Sequence, residues 1–304
     1  MTTDTEIKQQ VREFYDQVGW QQVSEGMFQN ARYEDLRPVS REYIHKCHLR
    51  LMRHLTESGR FLLDAGSGPI QYPEYLRYSQ GYQYRVCADI SIVALREARQ
   101  RIGEHGLFVV ADVANLPFRT DVFSGVVSLH TLHHLPQQEQ LQAYQGIYRV
   151  LQPGHSAVVV NGWSGTNLYR LLHVPNRWLK RIRRGLKRRF GTTPEHKPSS
   201  PLAPRKPRGT FVHKYDKAWV EQELSPFMPV EVRVWRSIDP GLMRFYIHSW
   251  LAGRYILRAL HWLEERFPHF MGEHGRYPLM IIHKDGESSV LAPDSSAAQA
   301  GAHV

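Results

Sequence analysis

Residues 61–69 read FLLDAGSGP, a short apolar run that ends in an acid and opens into a glycine-containing turn. The run predicts a buried strand ending at Asp64. In the turn, Gly66 and Gly68 would let the backbone approach a small ligand, because a Cβ would block that approach or forbid the dihedral angles. The stretch therefore predicts a ligand site at the end of a strand.

Two nucleotide-binding loops of similar appearance are excluded by residue type. A dinucleotide fingerprint that starts at Gly66 needs a third glycine at position 71, where the chain has Gln71. A phosphate-binding P-loop needs Gly-Lys-Ser/Thr, and these residues do not follow. The carboxylate of Asp64 also suits a cationic amino group better than a phosphate. A pyrophosphate at a helix N-terminus is therefore not the expected ligand.

The same pattern, an apolar run that ends in polar side chains, recurs along the chain. RVCADIS (85–91) carries Asp89, twenty-one residues after Gly68. This is close to the spacing of about 20 at which an acid accepts ribose hydroxyls. Three more runs follow: LFVVADVANLPF (107–118) with Asp112, DVFSGVVSLHTLHHLP (121–136) with its histidines, and RVLQPGHSAVVVNGW (149–163).

Helical patterns between these runs, such as IVALREARQRI (92–102), complete an alternation of strands and helices. The alternation predicts an α/β fold with a doubly wound, mostly parallel sheet. Ligands of such sheets bind beyond the carboxyl ends of the strands, where Asp64, Asp89, Asp112 and His130 would all project.

Each of the three acids also has an alternative interpretation. Asp64 could be a helix N-cap, Asp89 a turn residue and Asp112 a cap. Three acids at the ends of three consecutive strands favour a shared site over three separate caps.

DAGSGP, ADIS, ADVANLPF, VVSLHTLHHL and LQPG, in this order and spacing, resemble the class I S-adenosylmethionine-dependent methyltransferases. Within them the chain resembles the ubiquinone/menaquinone-biosynthesis-like small-molecule enzymes. The resemblance covers about residues 58–163. It implies a Rossmann-like, seven-stranded sheet in which VEVRVWRSI (230–238) is strand six. YPLMIIHK (277–284) would be strand seven, inserted antiparallel between strands five and six. The family often has a glycine where Ile70 stands.

The resemblance also implies S-adenosyl-L-methionine as the cofactor and assigns roles by position. Asp64 and the loop would lie against its methionine portion, Asp89 would bind the ribose hydroxyls and Asp112 the adenine amino group. Leu129 and His130 would lie under the sulfonium. The full set of expected cofactor contacts is Tyr15, Asp64, Ala65, Gly66, Ser67, Gly68, Asp89, Ile90, Asp112, Val113, Leu129 and His130. No metal is expected.

Methyl transfer is an in-line displacement, for which an oxygen or carbon nucleophile needs a base. Histidine has a suitable unperturbed pKa. His134 is the first candidate by its position in the motif and His130 the second, whereas His133 is expected to face solvent. The alternative is that these histidines only begin a helix beside Pro136.

The positive charge is concentrated in one segment. Residues 170–208 contain thirteen Lys and Arg and one acid, a net charge of +12, so the rest of the chain carries −2 of the total of +10. Residues 173–190 predict a basic amphipathic helix that contains Trp178. The following stretch is rich in Pro, Ser and Lys and predicts a mobile loop.

Three interpretations of this basic segment stay open. They are peripheral contact with an anionic membrane, a helix packed on the domain with a solvated basic face, and binding to nucleic acid. Nucleic acid is disfavoured because the Asn/Asp-Pro-Pro-Tyr/Phe motif of base-modifying amino-methyltransferases is absent after strand four.

The order of the motifs along the chain predicts five regions, and the charge and cysteine content indicate where in the cell the protein works. Two cysteines exclude a disulfide framework and favour the cytoplasm, peripheral to a membrane if the basic helix binds lipid. Neither a leader nor a membrane span is expected. The regions are an N-terminal helical cap (1–57), the S-adenosylmethionine-binding core (58–163), a basic insertion and mobile loop (164–210), the C-terminal part of the fold with a helical lid (211–285), and a disordered tail (286–304).

The sequence thus predicts a methyltransferase that acts on a small molecule, lipid- or carrier-linked and reached at a membrane surface. Two alternatives remain. One is an RNA or protein methyltransferase guided by the basic insertion. The other is a non-catalytic, cofactor-binding partner subunit.

Overall fold

A seven-stranded sheet forms the centre of the protein in this computed structural model. A small hairpin, β1 (Gln22–Ser24) and β2 (Met27–Phe28), precedes it. In chain order the strands of the central sheet are β3 (Gly59–Ala65), β4 (Tyr82–Asp89), β5 (Gly106–Val110), β6 (Gly125–Leu129), β7 (Ser156–Val160), β8 (Val230–Arg236) and β9 (Tyr277–His283).

Helices pack against both faces of the sheet. They are α1 (Asp4–Phe14), α2 (Pro38–Leu49), α3 (Ile92–Ile102), α4 (Gln137–Val150), the short α5 (Lys217–Trp219), α6 (Pro240–Tyr246), α7 (Gly253–Arg266) and α8 (Pro268–His274). One π-helical turn, Tyr15–Gly19, extends α1, and another, Val220–Leu224, extends α5.

The structure describes residues 3–24, 27–166 and 210–286, with positions 170, 173–175, 178, 181 and 182 between the last two ranges. Most of the predicted basic insertion and mobile loop, and nearly all of the predicted tail, lie outside these described residues. No helix within them combines the length and the apolar character that a membrane crossing requires.

The strand order is β5-β4-β3-β6-β7-β9-β8, with β9 antiparallel to both of its neighbours. This confirms the predicted seven-stranded, mostly parallel sheet with strand seven inserted between strands five and six. Asp64 lies opposite Cys87 of β4 and Val127 of β6. Because these strands run parallel, their carboxyl ends meet at one edge of the sheet.

The connections of the first half contain less α-helix than the sequence pattern predicts. Between β3 and β4 the chain forms a 3₁₀ segment, Pro73–Ser79, and between β5 and β6 only a short 3₁₀ turn, Val113–Asn115. The first connection packs through aromatic rings, with Tyr75 stacked on Tyr78 at 5.2 Å. No long helix therefore starts at the glycine loop, which agrees with the exclusion of a pyrophosphate site there.

The buried side chains form a layer on each face of the sheet. Leu63 and Val126 pack against α4 on one face, and Leu62 and Val127 pack towards Trp235 on the other. The strands of a sheet buried on both faces read as nearly continuous apolar runs. This accounts for the runs seen in the sequence.

Glu264 of α7 joins α2, α7 and the end of β8 through a buried network. Its Oε1 accepts hydrogen bonds from Tyr43 Oη at 2.6 Å and from the N–H of Ser237 at 2.9 Å. Its Oε2 pairs with Arg50 at 2.9 Å. Glu264 is 1% exposed, so these partners replace the water that the carboxylate loses.

Glu264→Ala is expected to lower the free energy of unfolding by about 3 kcal/mol or more. Arg50 pairs with both Glu264 and Glu265, and the variant removes Glu264, which is the buried partner. The control is Glu273→Ala, whose pair with Lys217 at 2.9 Å is partly exposed. It should change the free energy by less than about 1 kcal/mol. Urea unfolding followed by circular dichroism measures both variants, and equal effects would contradict this account.

Candidate functional site

A cleft of about 500 Å³ lies beyond the carboxyl ends of β3, β4 and β6. Its walls come from the glycine loop, from the N-terminal segment and from β8 and β9. Most of the predicted site residues line it: Tyr15, Asp64, Gly66, Ser67, Gly68, Asp89, Ile90, Leu129, His130 and His134. Ala65, Asp112 and Val113 are not among its lining residues.

Asp64 is the buried carboxylate at the base of the cleft. It forms an ion pair with Arg85 of β4, and Arg85 Nε lies 3.1 Å from Asp64 Oδ2. Burial raises the pKa of Asp64, and the Arg85 cation opposes that rise. No described residue donates to Oδ1, so this oxygen can accept a hydrogen bond from a ligand's ammonium group.

The glycine loop is held against β4. Gly66 N–H donates to the carbonyl of Ala88 at 2.7 Å, and Gly68 N–H donates to Asp89 Oδ2 at 2.9 Å. Both glycines have positive φ, 78° and 55°, and a Cβ on Gly68 would lie 3.1 Å from the Trp20 ring. The sequence rule that glycine is needed here agrees with this geometry.

Asp89 connects the loop to the start of α3. Its Oδ1 accepts a hydrogen bond from the N–H of Ser91 at 2.8 Å, while Oδ2 accepts from Gly68. Burial is the largest influence on this carboxyl and raises its pKa to about 6, although both hydrogen bonds act in the opposite direction. Hydroxyl donors from a ligand would further stabilise the charged form.

Ile70 has a φ of 54°, in the left-handed region that favours glycine. This position is the one at which the resembled family often has glycine. A β-branched residue there carries roughly 1–2 kcal/mol of backbone strain. Its fully buried side chain packs with Cys87 and Leu95, which offsets that cost. The departure from the family pattern therefore leaves the path of the loop intact.

Asp112 lies beside the N-terminal helix. Its Oδ2 pairs with Lys8 of α1 at 2.6 Å, and its Oδ1 accepts from the N–H of Ala114 at 3.0 Å. Lys8 also pairs with Glu139 of α4 at 2.8 Å. The bond from Ala114 makes Asp112 the cap of the turn Val113–Asn115, which is the alternative role that the sequence left open. The pair with Lys8 anchors α1 beside this turn.

His134 and Tyr15 form a hydrogen-bonded pair in the wall of the cleft. His134 Nδ1 lies 2.7 Å from the carbonyl oxygen of Phe211, so Nδ1 carries the proton. His134 Nε2 then accepts from Tyr15 Oη at 2.8 Å. Burial lowers the pKa of His134 to about 4, which keeps the ring neutral and basic at Nε2 near pH 7.

The other two histidines differ in their partners. His130 has a φ of 56°, a strained backbone for a residue other than glycine, and its ring lies 5.0 Å from that of Trp235. His133 donates from Nδ1 to Asn161 Oδ1 at 3.0 Å and is 9% exposed. His133 is therefore buried rather than facing solvent, because the turn before α4 directs it towards β7.

The pKa values of these histidines lie below the ordinary 6.5 because burial disfavours the charged ring, with His130 at about 3 and His134 at about 4. Between pH 6.5 and 4 the unfolded chain therefore binds more protons than the folded chain. Stability falls as the pH falls through that window. Asp89, with its raised pKa, opposes the change by one proton.

His130→Asn is expected to reduce the slope of the unfolding free energy between pH 6 and 4.5 by about 1.4 kcal/mol per pH unit. The reason is that the variant lacks one proton that the unfolded chain binds and the folded chain does not. Asparagine also tolerates the positive φ. Urea unfolding at a series of pH values measures the slope. His269→Asn, at an exposed ring, is the control. An unaltered slope in His130→Asn would contradict the assignment.

Sequence reasoning missed the half of the cleft that the C-terminal region builds. Lys214, Trp235, Arg236 and Tyr277 all line it. Lys214 lies in FVHKYD (211–216), and no motif or spacing in the sequence marks this lysine as a site residue. The described residues include no group of three His, Cys, Asp or Glu side chains suited to a metal ion.

The cleft fits S-adenosylmethionine. Its volume lies within the range of about 300–1,000 Å³ that is usual for ligand sites. Gly66 and Gly68 let the loop backbone pass close to Thr131 and Trp20 at the edge of the cleft, Asp64 offers an oxygen that no described residue donates to, and Asp89 presents a second buried carboxylate. That oxygen of Asp64 suits the ammonium group of the cofactor, and Asp89 suits its ribose hydroxyls. The glycine loop allows the backbone to lie close to the methionine portion.

Comparisons with known proteins agree with the fold. Residues 63–159 match a family profile described as "Methyltransferase domain". No protein with a curated description matches the chain. Phosphoethanolamine N-methyltransferase 1 of Haemonchus contortus, solved with phosphoethanolamine and S-adenosylhomocysteine, is 10% identical with a TM-score of 0.52. The match covers 93% of this chain and 50% of that one. The cyclase SpnF is 15% identical with a TM-score of 0.50, over 93% of this chain and 97% of that one.

The sheet order and the cleft define the class I, Rossmann-like methyltransferase fold, and residues 63–159 are a methyltransferase domain. The chain is an S-adenosylmethionine-dependent methyltransferase, with S-adenosylmethionine as its cofactor.

Proposed function

We propose that this enzyme methylates a small-molecule acceptor, lipid- or carrier-linked, as the ubiquinone/menaquinone-like subgroup resemblance suggests. The observation that carries the proposal is the burial of side chains that line the second half of the cleft. Trp235 and Arg236 line it and are 1% and 2% exposed. Recessed side chains of this kind suit a small molecule better than a folded RNA or protein.

Tyr15 and Trp20 of the N-terminal segment lie over the glycine loop, with their rings stacked at 4.8 Å. Together with Trp235 and Tyr277 of the C-terminal strands they form walls of the cleft. Asp64, Asp89 and the loop would hold the cofactor's amino, ribose and methionine groups. S-adenosylmethionine supplies an activated methyl group for in-line displacement when bound.

Tyr15 and His134 provide a route for a proton from the acceptor. Tyr15 Oη can take a proton from an acceptor hydroxyl or acidic carbon while passing its own proton to His134 Nε2, 2.8 Å away. The hydrogen bond to the Phe211 carbonyl holds the ring in the tautomer that this transfer needs. His130 has a pKa lowered to about 3 and lacks the tyrosine partner that His134 has, so we place it second as a base.

A membrane surface is proposed as the place of reaction. Residues 173–190 lie mostly outside the described part of the chain. Val174 and Trp178, which are described, are 54% and 66% exposed. Exposure of these apolar side chains supports contact with an interface over packing on the domain, and the basic residues around them suit anionic lipid.

Calorimetry with S-adenosylhomocysteine and a methyl-transfer assay with labelled S-adenosylmethionine test the proposal. We expect cofactor binding, and label in the small-molecule or lipid fraction of an extract. Label only in RNA or protein would favour the alternative acceptors, and absence of cofactor binding would refute the enzyme assignment.

Liposome flotation tests the location. The full chain should float with anionic vesicles, and deletion of 173–208 should abolish flotation. Equal flotation of the full chain with neutral vesicles, or none with either, would contradict a basic membrane contact.

A further inference from the structure

We propose that the acceptor carries an anionic group, a phosphate or a carboxylate, bound between Lys214 and Arg236 in the second half of the cleft. The inference rests on the proposed function, because it names the chemistry of the acceptor for that same site. One half-buried cation, Lys214, and one buried cation, Arg236, each with donors to spare, carry the argument.

Lys214 has no hydrogen-bond or ion-pair partner among the described residues. Its Nζ lies over Gly162, just beyond the end of β7, at 2.8 Å from the position that a Cβ on that glycine would take. Burial, with Arg276 nearby, lowers the pKa of Lys214 to about 8. A lysine in this state is short of negative charge, which an anionic ligand would supply.

Arg236 is the second cation and is almost completely buried. Its Nη1 pairs with Glu34 at 2.6 Å, whereas its Nε has no hydrogen-bond partner in the described part of the chain. The guanidinium lies against the rings of Trp235 and Tyr277, 5.1 and 4.9 Å from their centroids. A buried donor without a partner is costly unless a ligand satisfies it.

The charges around this part of the cleft sum to a positive value. Glu34 balances Arg236. Arg276 lowers the pKa of Lys214 and Asp239 raises it by less, so Asp239 does not neutralise both cations. Among the described residues this leaves a net positive charge at Lys214, which matches one negative charge on a ligand.

His130 places the two cations beside the expected reaction centre. Both Arg236 and Lys214 lower its pKa, so both lie within electrostatic reach of its ring. His130 follows β6, where the cofactor half meets the second half of the cleft. An anion bound by the two cations would therefore orient the rest of the acceptor across the aromatic wall towards the methyl donor.

The test measures anion binding by the full chain saturated with S-adenosylhomocysteine. Inorganic phosphate and acetate are the probes, acetamide is the neutral control, and ionic strength is held constant with chloride. Calorimetry or thermal shift gives the affinity for each. Phosphate or acetate should bind at least about tenfold more tightly than acetamide, a difference of about 1.4 kcal/mol.

Lys214→Met should remove this preference and Lys214→Arg should retain most of it, since arginine keeps the charge. Lys46→Met, on α2 away from the cleft, is the matched control and should behave as the original chain. The Lys214 variants should still bind S-adenosylhomocysteine, which separates this test from that of the cofactor site.

Equal binding of acetate and acetamide, or an unchanged anion preference in Lys214→Met, would overturn the inference while leaving the methyltransferase assignment in place. Absence of S-adenosylhomocysteine binding in the original chain would instead refute the proposed function. Preference for phosphate over acetate, or the reverse, would tell which anion the acceptor carries.

Discussion

Gly66→Ala is expected to weaken S-adenosylhomocysteine binding by about 100-fold or more, equivalent to about 2.7 kcal/mol. The new Cβ would lie 2.1 Å from Thr131 Cγ2 and 2.3 Å from Thr131 Oγ1. Thr131 cannot withdraw easily, because its hydroxyl bonds to the carbonyls of Gly66 and Leu129 at 3.1 and 3.2 Å. The loop must therefore move, and Gly68 N–H would then leave Asp89.

Gly154→Ala separates this clash from backbone strain. Gly154 has a φ of 77°, almost that of Gly66, but a Cβ there meets nothing within 4 Å. It should lose about 1–2 kcal/mol of stability and keep full affinity. Calorimetry measures binding and circular dichroism checks the fold.

Adding Thr131→Gly to Gly66→Ala should restore part of the affinity by removing the clash. Normal affinity in Gly66→Ala would show that the loop does not approach the cofactor. Equal losses in Gly66→Ala and Gly154→Ala would show that strain alone is responsible.

His134→Ala is expected to lower turnover by about 10²–10³-fold while leaving cofactor affinity unchanged, because general-base catalysis contributes on that scale. Tyr15→Phe should have a similar effect, since Tyr15 Oη lies 2.8 Å from His134 Nε2. The double variant should be little worse than either single variant, because the two groups act as one unit.

The pH profile supplies a second readout. The pKa of His134 is about 4, so the base is neutral above that value and the acid limb of kcat/KM is expected near pH 4 rather than near 6.5. His155→Ala, beyond the opposite end of β7, is the matched control. Unchanged turnover in His134→Ala, or additive losses in the double variant, would contradict the proton route.

The strand pattern predicted most of the fold, because burial on both faces leaves a continuous apolar signature in each strand. The same pattern predicted more α-helix between the first strands of the sheet than the structure contains. The alternation predicts a helix between β3 and β4, yet tyrosine stacking and a proline favour a 3₁₀ segment there. Local periodicity does not report which of two helical forms tertiary packing prefers.

For the candidate site, the sequence predicted the positions of some residues but not their partners. Residues close to a strand end, such as Asp64, Asp89 and His134, are predictable because the topology carries them to one edge. The partners that give them their chemical state are not. Arg85 stands twenty-one positions from Asp64, and Tyr15 stands 119 positions from His134. No spacing rule links such pairs.

The sequence alone determined the alternation of strands and helices and the glycine loop, because these depend on short-range spacing, whereas the strand order and the methyl donor followed from the resemblance to a known family. Only the tertiary structure decided that Asp112 pairs with Lys8, that His134 is neutral beside Tyr15, and that Lys214 and Arg236 enter the cleft. Those outcomes depend on burial and on contacts between distant segments, which set pKa values and pairings only after the chain has folded.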